Sequence, residues 1–380
     1  MTIFINTLPV TEKSSGIRVF LLELLNAFAE SNKSNINYCL ITCGNNKKLF
    51  DNFSSNKQFS FMEVDVDNSS PLKRIYFEQF RLNKILNKSK NAILLNICNI
   101  AMLNCSMPQI IIIQKQTGIR SLRKTLPAKY RYISIMHIIY YDLLLEKSIK
   151  LSTKTIAISD YMVQFLEKYA DKIEVIHEGV NFETFNNDEV LKASPLYDFP
   201  YIFSLSTLFP HKNMDKLIEA FALFKKAGNP NHKLVIAGKD PDGKQISILK
   251  KIATELQVQE DVIFTGWLPN EKIPVLYKFA SLFVFLSGME FFGLPVLEAM
   301  ASRVPVISSN KMSLPEVVNN AGILVEPDNV LEISELMNEL CNDQKLRAEL
   351  IEKGLNNAHE FKWLTTAQKF EKVFESVNLN

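Results

Sequence analysis

Apolar positions in this chain alternate between two patterns. Short unbroken runs give way to stretches with apolar residues three or four apart, as when buried strands alternate with one-faced helices. Ile3–Ile5 predicts a first strand and Ile17–Ala29 a helix after it. The β-branched runs Ile93–Ile97, Ile110–Ile113 and Thr155–Ser159 are apolar on both faces, which predicts parallel strands covered on both sides. The pattern then stops. Residues 181–200 are polar, hold two prolines and show no period, which predicts a linker. It restarts with strands at Tyr201–Ser206, Lys233–Ala237, Val262–Thr265, Leu282–Leu286 and Val304–Ser308, separated by helices. Such alternation builds doubly wound parallel sheets. The expectation is an α/β chain of two Rossmann-like domains, residues 1–185 and 186–364.

At 380 residues the chain is long enough to fill two cores. Its 47% hydrophobic and 22% charged content is that of a soluble globular protein. Cys39, Cys43, Cys98, Cys105 and Cys341 include no C-x-x-C pair, so neither a disulfide framework nor a zinc site is expected, and a reducing cytoplasm is. The opening Met-Thr-Ile-Phe-Ile reads as a strand with no basic region before it, so no signal peptide is expected. No apolar run reaches the roughly 18 residues of a membrane span. The net charge of +2 hides an uneven distribution, because residues 72–131 hold twelve Lys and Arg against one acid, Glu78. That segment is either an ordinary solvated helix face or one that makes an anionic membrane surface a candidate partner. No nucleic-acid module is visible.

The densest chemistry lies at Ser287–Met300. A strand breaks into a loop at Glu290-Phe291-Phe292-Gly293 and reopens as a helix with Pro295 in its first turn. Amides around Phe292, Gly293 and Leu294 at a helix start, on the positive end of its dipole, make an anion site. Glu290 and Glu298 bracket it. Carboxylates beside a phosphate repel it unless they accept hydrogen bonds from hydroxyls of the same ligand. A nucleotide sugar offers both, a diphosphate between hydroxyl-bearing rings.

Glu290-x7-Glu298, within E-x-F-G-L-P-x-x-E-A-M, resembles the signature of the retaining glycosyltransferases of family 4, which have the GT-B fold. Similar stretches are Pro210-His211-Lys212-Asn213, Glu178-Gly179-Val180, Ile236-Ala-Gly238, Phe264-Thr-Gly266-Trp267, Arg303-Val-Pro305-Val-Ile-Ser308, Ser313-Leu-Pro315-Glu316 and Ala321-Gly322, running from near Ser159 to the end. The resemblance implies two domains facing a central cleft, with the C-terminal helix, residues 365–380, packing back on the first. It implies transfer of a hexose from a nucleoside diphosphate sugar to a glycan hydroxyl, with no metal and no other cofactor. Lys212 would neutralise the leaving diphosphate and Glu290 would hold the transferred sugar. Glu298 would accept the ribose hydroxyls, while His211 and Thr207 stand where relatives carry arginines. Either His211 is protonated there, or Lys212 and the helix start carry the phosphate charge. Gly266 and Trp267 fall beside the base, unless Trp267 is a buried aromatic at a strand end, and Gly16 falls in a loop that would cover the donor phosphates. Gln114 and Lys115 are acceptor-side candidates, following the strand after which many relatives have histidine or asparagine.

Other features have plainer readings. Ser313 and Glu316 form a capping-box pattern. Asp65-Val-Asp67 mimics a D-x-D metal motif but reads as a solvated strand edge. His137, alone on an apolar helix, reads as a core residue. No G-x-G-x-x-G follows a strand, which argues against a nicotinamide dehydrogenase. Two alternatives to a transferase stay open at this stage: a catalytically silent partner protein of the same fold, and a sugar-nucleotide epimerase.

Overall fold

A computed structural model describes residues 1–378 except Lys13, Ser15, 87–88, 90, 115–134 and Pro230, and only the backbone of 135–142, Asp188 and Leu191. Candidate Lys115, the basic residues of 115–131 and the His137 side chain lie outside what is described. The chain divides into two compact units. Among the described residues, the first takes 1–114, 135–179 and 363–378, and the second takes 180–362. The polar 181–200 stretch is thus part of the second unit rather than a linker. Asn181 and Asn187 cap short helices there through side chains that accept from Thr184 N and Val190 N, and Asn186 donates to the carbonyl of Ala301.

In the first unit, described strands β1 (Thr2–Asn6), β2 (Asn37–Thr42), β3 (Phe59–Glu63), β4 (Ala92–Asn96), β5 (Gln109–Ile113), β6 (Lys154–Ala157) and β7 (Ile173–Val175) form one parallel sheet, ordered β3-β2-β1-β4-β5-β6-β7. Every residue of β4 and β5 is buried, as apolar runs without alternation require of central parallel strands. Helix α1 (Gly16–Ser31) carries Phe20, Leu24 and Phe28 inward. Helix α2 (Pro71–Phe77) widens through one π turn, Glu78–Leu82, into Asn83–Leu86.

In the second unit, β8 (Tyr201–Leu205), β9 (Lys233–Ala237), β10 (Val262–Gly266), β11 (Leu282–Phe285), β12 (Val306–Ser309) and β13 (Ile323–Val325) are again all parallel, ordered β10-β9-β8-β11-β12-β13. Helices α3 (Met214–Lys226), α4 (Leu294–Ala301) and α5 (Leu314–Val318) follow β8, β11 and β12. The last helix, α6 (Trp363–Ser376), belongs to the first unit. Phe370 and Phe374 pack against Phe28, and Trp363 against Phe20. Buried Glu371 accepts hydrogen bonds from Tyr38 Oη at 3.0 Å and Ser31 Oγ at 2.7 Å.

Both sheets place their earliest strand in the middle and grow outward to either side. Ligands of doubly wound sheets bind beyond the carboxyl ends of the strands where the order reverses. Here the reversals fall between β1 and β4, and between β8 and β11.

Candidate functional site

The loops after β8 and β11 meet at the reversal of the second sheet. Gly288 N donates to His211 O at 2.7 Å, and Asn213 Nδ2 to Leu286 O at 2.8 Å. Asn213 holds φ 52° in the left-handed region, which asparagine tolerates better than most residues. It occupies the position before α3, but its side chain secures the opposite loop rather than capping the helix. Ser313 behaves alike. Its hydroxyl lies 3.0 Å from Glu290 O and 3.1 Å from Phe292 O, and makes no cap bond. The capping-box reading of Ser313 and Glu316 is therefore corrected. The serine holds the 290–292 loop because that loop's carbonyls lack partners in any ladder.

Gly293 precedes α4 with φ 115°, and a Cβ there would lie 2.7 Å from Leu314 Cδ2, so glycine is required for both backbone and space. Of the donors in the first turn of α4, Pro295 offers none and Val296 N bonds Gly293 O at 3.0 Å. Gly293 and Leu294 amides have no acceptor within the helix. Between them and the β8 loop lies an ion pair, Lys212 Nζ to Glu290 Oε2 at 2.5 Å, with both side chains largely shielded from water. The ammonium also lies 5.3 Å from the centre of the Phe285 ring. A cation, a carboxylate and a helix start thus converge at the predicted place.

His211 is 7% exposed and stacks on Phe209 at 5.6 Å. Burial, and then the Lys212 charge beside it, push its imidazole down to about 3. So lowered, it is neutral at pH 7. Thr207, on the turn after β8, is uncharged, and its carbonyl accepts from Phe209 N at 2.8 Å. Glu298, on the second turn of α4, accepts from the fully buried Tyr277 Oη at 3.0 Å. Burial, and then the Glu298 carboxylate, raise the Tyr277 phenol. Sequence reasoning missed this orienting tyrosine, since nothing links positions 277 and 298 until helix Ile273–Lys278 packs beside α4.

At the rim of β9 and β10, Gly238 N donates to Gly266 O at 2.9 Å. Gly238 has φ 139°, and a Cβ there would overlap Ser206 O at 1.7 Å. Trp267 is 61% exposed with Lys239 Nζ 5.8 Å from its ring centre, so it is an open aromatic face rather than a core residue. The remaining candidates lie in the first unit. Gly16 opens α1 with no atom within 4 Å of a built Cβ. Gln114 follows β5, its N bonded to Asn99 Oδ1 at 3.0 Å, and among the described residues its buried Nε2 has no partner. Asp67 is occupied by Ser69 and Lys73, as a solvated edge predicts.

Two parallel-sheet α/β units of this kind define the GT-B fold. Solved structures agree over nearly the whole chain: Anabaena HepE, in complex with UDP and glucose, has a TM-score of 0.74 at 16% identity, covering 99% of this chain and 100% of that one. WaaG, a glycosyltransferase involved in lipopolysaccharide biosynthesis, gives 0.71 at 14% identity, covering 99% and 100%.

More particularly, residues 187–357 match the family model of glycosyl transferases group 1, which bears out the glycosyltransferase family read from the motifs. The O-antigen chain mannosyltransferase B of Escherichia coli is 34% identical over 163 residues, 43% of this chain and 42% of that protein. A GDP-mannose-dependent phosphatidylinositol monomannoside mannosyltransferase of Mycobacterium tuberculosis is 29% identical over 189 residues, 46% of this chain and 48% of that protein. The matched part spans less than half the length of these curated relatives.

Proposed function

We propose that this protein is a retaining hexosyltransferase. It moves a hexose, mannose in the first instance, from a nucleoside diphosphate sugar to a hydroxyl of a lipid-linked glycan in surface polysaccharide assembly. The observation that carries this reading is the Lys212–Glu290 pair beside the α4 N-terminus at the reversal of the second sheet. Mannosyltransferase relatives support the choice of sugar.

In this reading the ammonium and the Gly293 and Leu294 amides stabilise charge that develops on the leaving diphosphate, a contribution of about 3–4 kcal/mol for one well-placed donor. Glu290, once its lysine turns to the phosphate, accepts hydroxyls of the transferred sugar. Glu298, oriented by Tyr277, accepts the ribose diol, and Trp267 flanks the base. The departing phosphate oxygen takes the acceptor proton on the face it leaves, so configuration is retained without a carboxylate nucleophile, and Lys212 fills the role a metal has elsewhere. The protein works in the cytoplasm, and its basic segment 72–131 draws it to the anionic inner face of the membrane. Among the described residues no helix is long and apolar enough to cross a membrane.

The test is proton NMR of UDP-, GDP- and dTDP-sugars with the wild type beside Glu298→Ala, without acceptor. Slow release of sugar and nucleoside diphosphate from one donor, lost in the variant, is the expected result. An altered sugar still attached to its nucleotide would replace the transferase reading with an epimerase. No turnover and no line broadening from any donor would replace it with a silent binding partner.

A further inference from the structure

Strands β8 and β11, which meet at the reversal of the second sheet, carry aromatic rings on one face. Side chains two apart on a strand share a face, so Phe283 and Phe285 lie on the same side of β11. Parallel pairing sets Phe203 of β8 beside Phe283. Phe283 and Phe285 stack with ring centres 6.1 Å apart and planes inclined by 15°. Phe203 and Phe283 pack in turn on Tyr277, at 5.0 and 5.1 Å. These rings are buried, at 1% exposure or less. Most rings so placed do no more than fill a core.

Phe285 differs in what lies on it. It is the last residue of β11, so its ring ends the row at the rim, and Lys212 Nζ lies over it, 5.3 Å from the centre. The negative face of a ring attracts a cation, most strongly where water is kept away, and the Lys212 side chain is only 12% exposed. The same ammonium pairs with Glu290, and the two partners act differently. A carboxylate neutralises the ammonium and competes with a phosphate for it. A ring face attracts the ammonium and leaves its charge whole. On the transferase reading, Glu290 turns to the hydroxyls of the transferred sugar as charge grows on the departing diphosphate. The ammonium then loses its carboxylate at the moment it is needed, at the end of a long flexible stem. His211 is neutral at pH 7 and Thr207 carries no charge, so neither neighbour can stand in for it.

We infer that Phe285 is a positioning residue, whose ring holds the Lys212 ammonium in place for the leaving diphosphate while Glu290 is engaged by the sugar. This rests on the transferase reading and adds to its machinery a side chain with no polar atom. Leucine at 285 would fill much of the same space and leave the ammonium unheld.

The test changes the charge of the ring and keeps its shape. In the full chain Phe285 is replaced by mono-, di- and trifluorophenylalanine, which drain the ring face stepwise. Donor turnover is measured on each, with calorimetric binding of inorganic pyrophosphate, a stand-in for the leaving diphosphate. A stepwise fall in kcat is expected, reaching about tenfold with the trifluoro ring, while KM changes little. Pyrophosphate affinity falls in step, and the melting temperature stays constant. Phe285→Leu falls as far as the trifluoro ring. The same fluorinated rings at Phe221, buried on α3, leave kcat and affinity unchanged. Constant kcat and affinity across the Phe285 series would overturn the inference. So would losses that follow the melting temperature, losses equal at Phe221, or no pyrophosphate binding by the wild type. A flat series in an enzyme that turns over a donor would sink the role of the ring alone. A graded loss of pyrophosphate affinity in a protein that turns over no donor would sink the transferase reading alone.

Discussion

The two sheets share a topology and differ at their carboxyl rims. At the β8/β11 reversal a lysine and a glutamate face each other beside a helix start. At the β1/β4 reversal the same position is closed by neutral amides. Asn6 Nδ2 reaches Glu78 Oε1 at 3.1 Å and Asn96 Oδ1 at 3.4 Å, and Asn96 Nδ2 reaches Gln109 Oε1 at 3.3 Å. Asn46 and Asn68 bind the carbonyls of Thr7, Leu8 and Val10 in the loop that follows β1. One rim gathers a lysine, a glutamate and a helix start, while at the other neutral amides close on one another and on loop carbonyls. Topology sets where a doubly wound sheet can bind, and side chains decide whether it does.

The sharpest way to break this contrast is a pair of substitutions. Lys212→Ala is expected to lower turnover about 10²- to 10³-fold with the fold intact. Asn6→Leu leaves the second rim untouched and takes from buried Glu78 its amide donor, costing about 1–3 kcal/mol of stability. Steady-state kinetics and urea unfolding of both proteins check this, and a similar loss of turnover in both would erase the distinction.

Gly293→Ala comes next. A side chain at φ 115° against Leu314 should cost about 1–3 kcal/mol and displace the Leu294 amide, so donor affinity and melting temperature fall together. Affinity preserved in a destabilised variant would show that the helix start does not bind the donor.

The smallest effect sharpens the contrast through pH. Burial holds the His211 imidazole low, so its contribution to stability is present above the ordinary 6.5 and is lost as pH falls toward about 3. Burial raises the Glu78 carboxyl despite Arg74 and Asn6, so the folded state binds that proton more tightly than the unfolded chain does. Its contribution is fullest below the ordinary 4.5 and is lost as pH rises. Urea unfolding from about pH 4 to pH 8 should show His211→Asn removing stability lost toward acid, and Glu78→Gln removing stability lost toward base. Parallel slopes for both variants would contradict the assignments.

The second rim was legible because its parts are close in sequence. Strand, glycine, proline and two carboxylates fall within Leu282–Glu298, and each has a local physical meaning. Strands such as β4 and β5 were legible for the same reason, their burial being written in the unbroken apolar runs Ala92–Leu95 and Ile110–Ile113. Where one residue serves another far along the chain, the sequence carried no sign of it. Tyr277 serves Glu298, Ser313 serves the 290–292 carbonyls, and Glu78 serves Asn6. Glu78 counted only as the lone acid of a basic window, and the turn that buries it has no composition of its own.

The placement of α6 bears on the order of synthesis. The described residues of the second unit are one continuous stretch, complete once residue 362 has left the ribosome. The first unit, made as far as Gly179 by then, still lacks the helix that covers Phe28 and gives Tyr38 its carboxylate partner. At about 5–20 residues per second, the wait between Gly179 and Trp363 is on the order of ten seconds or longer. During it the nascent first half exposes an aromatic face that a chaperone could hold, and the half made first is the half finished last.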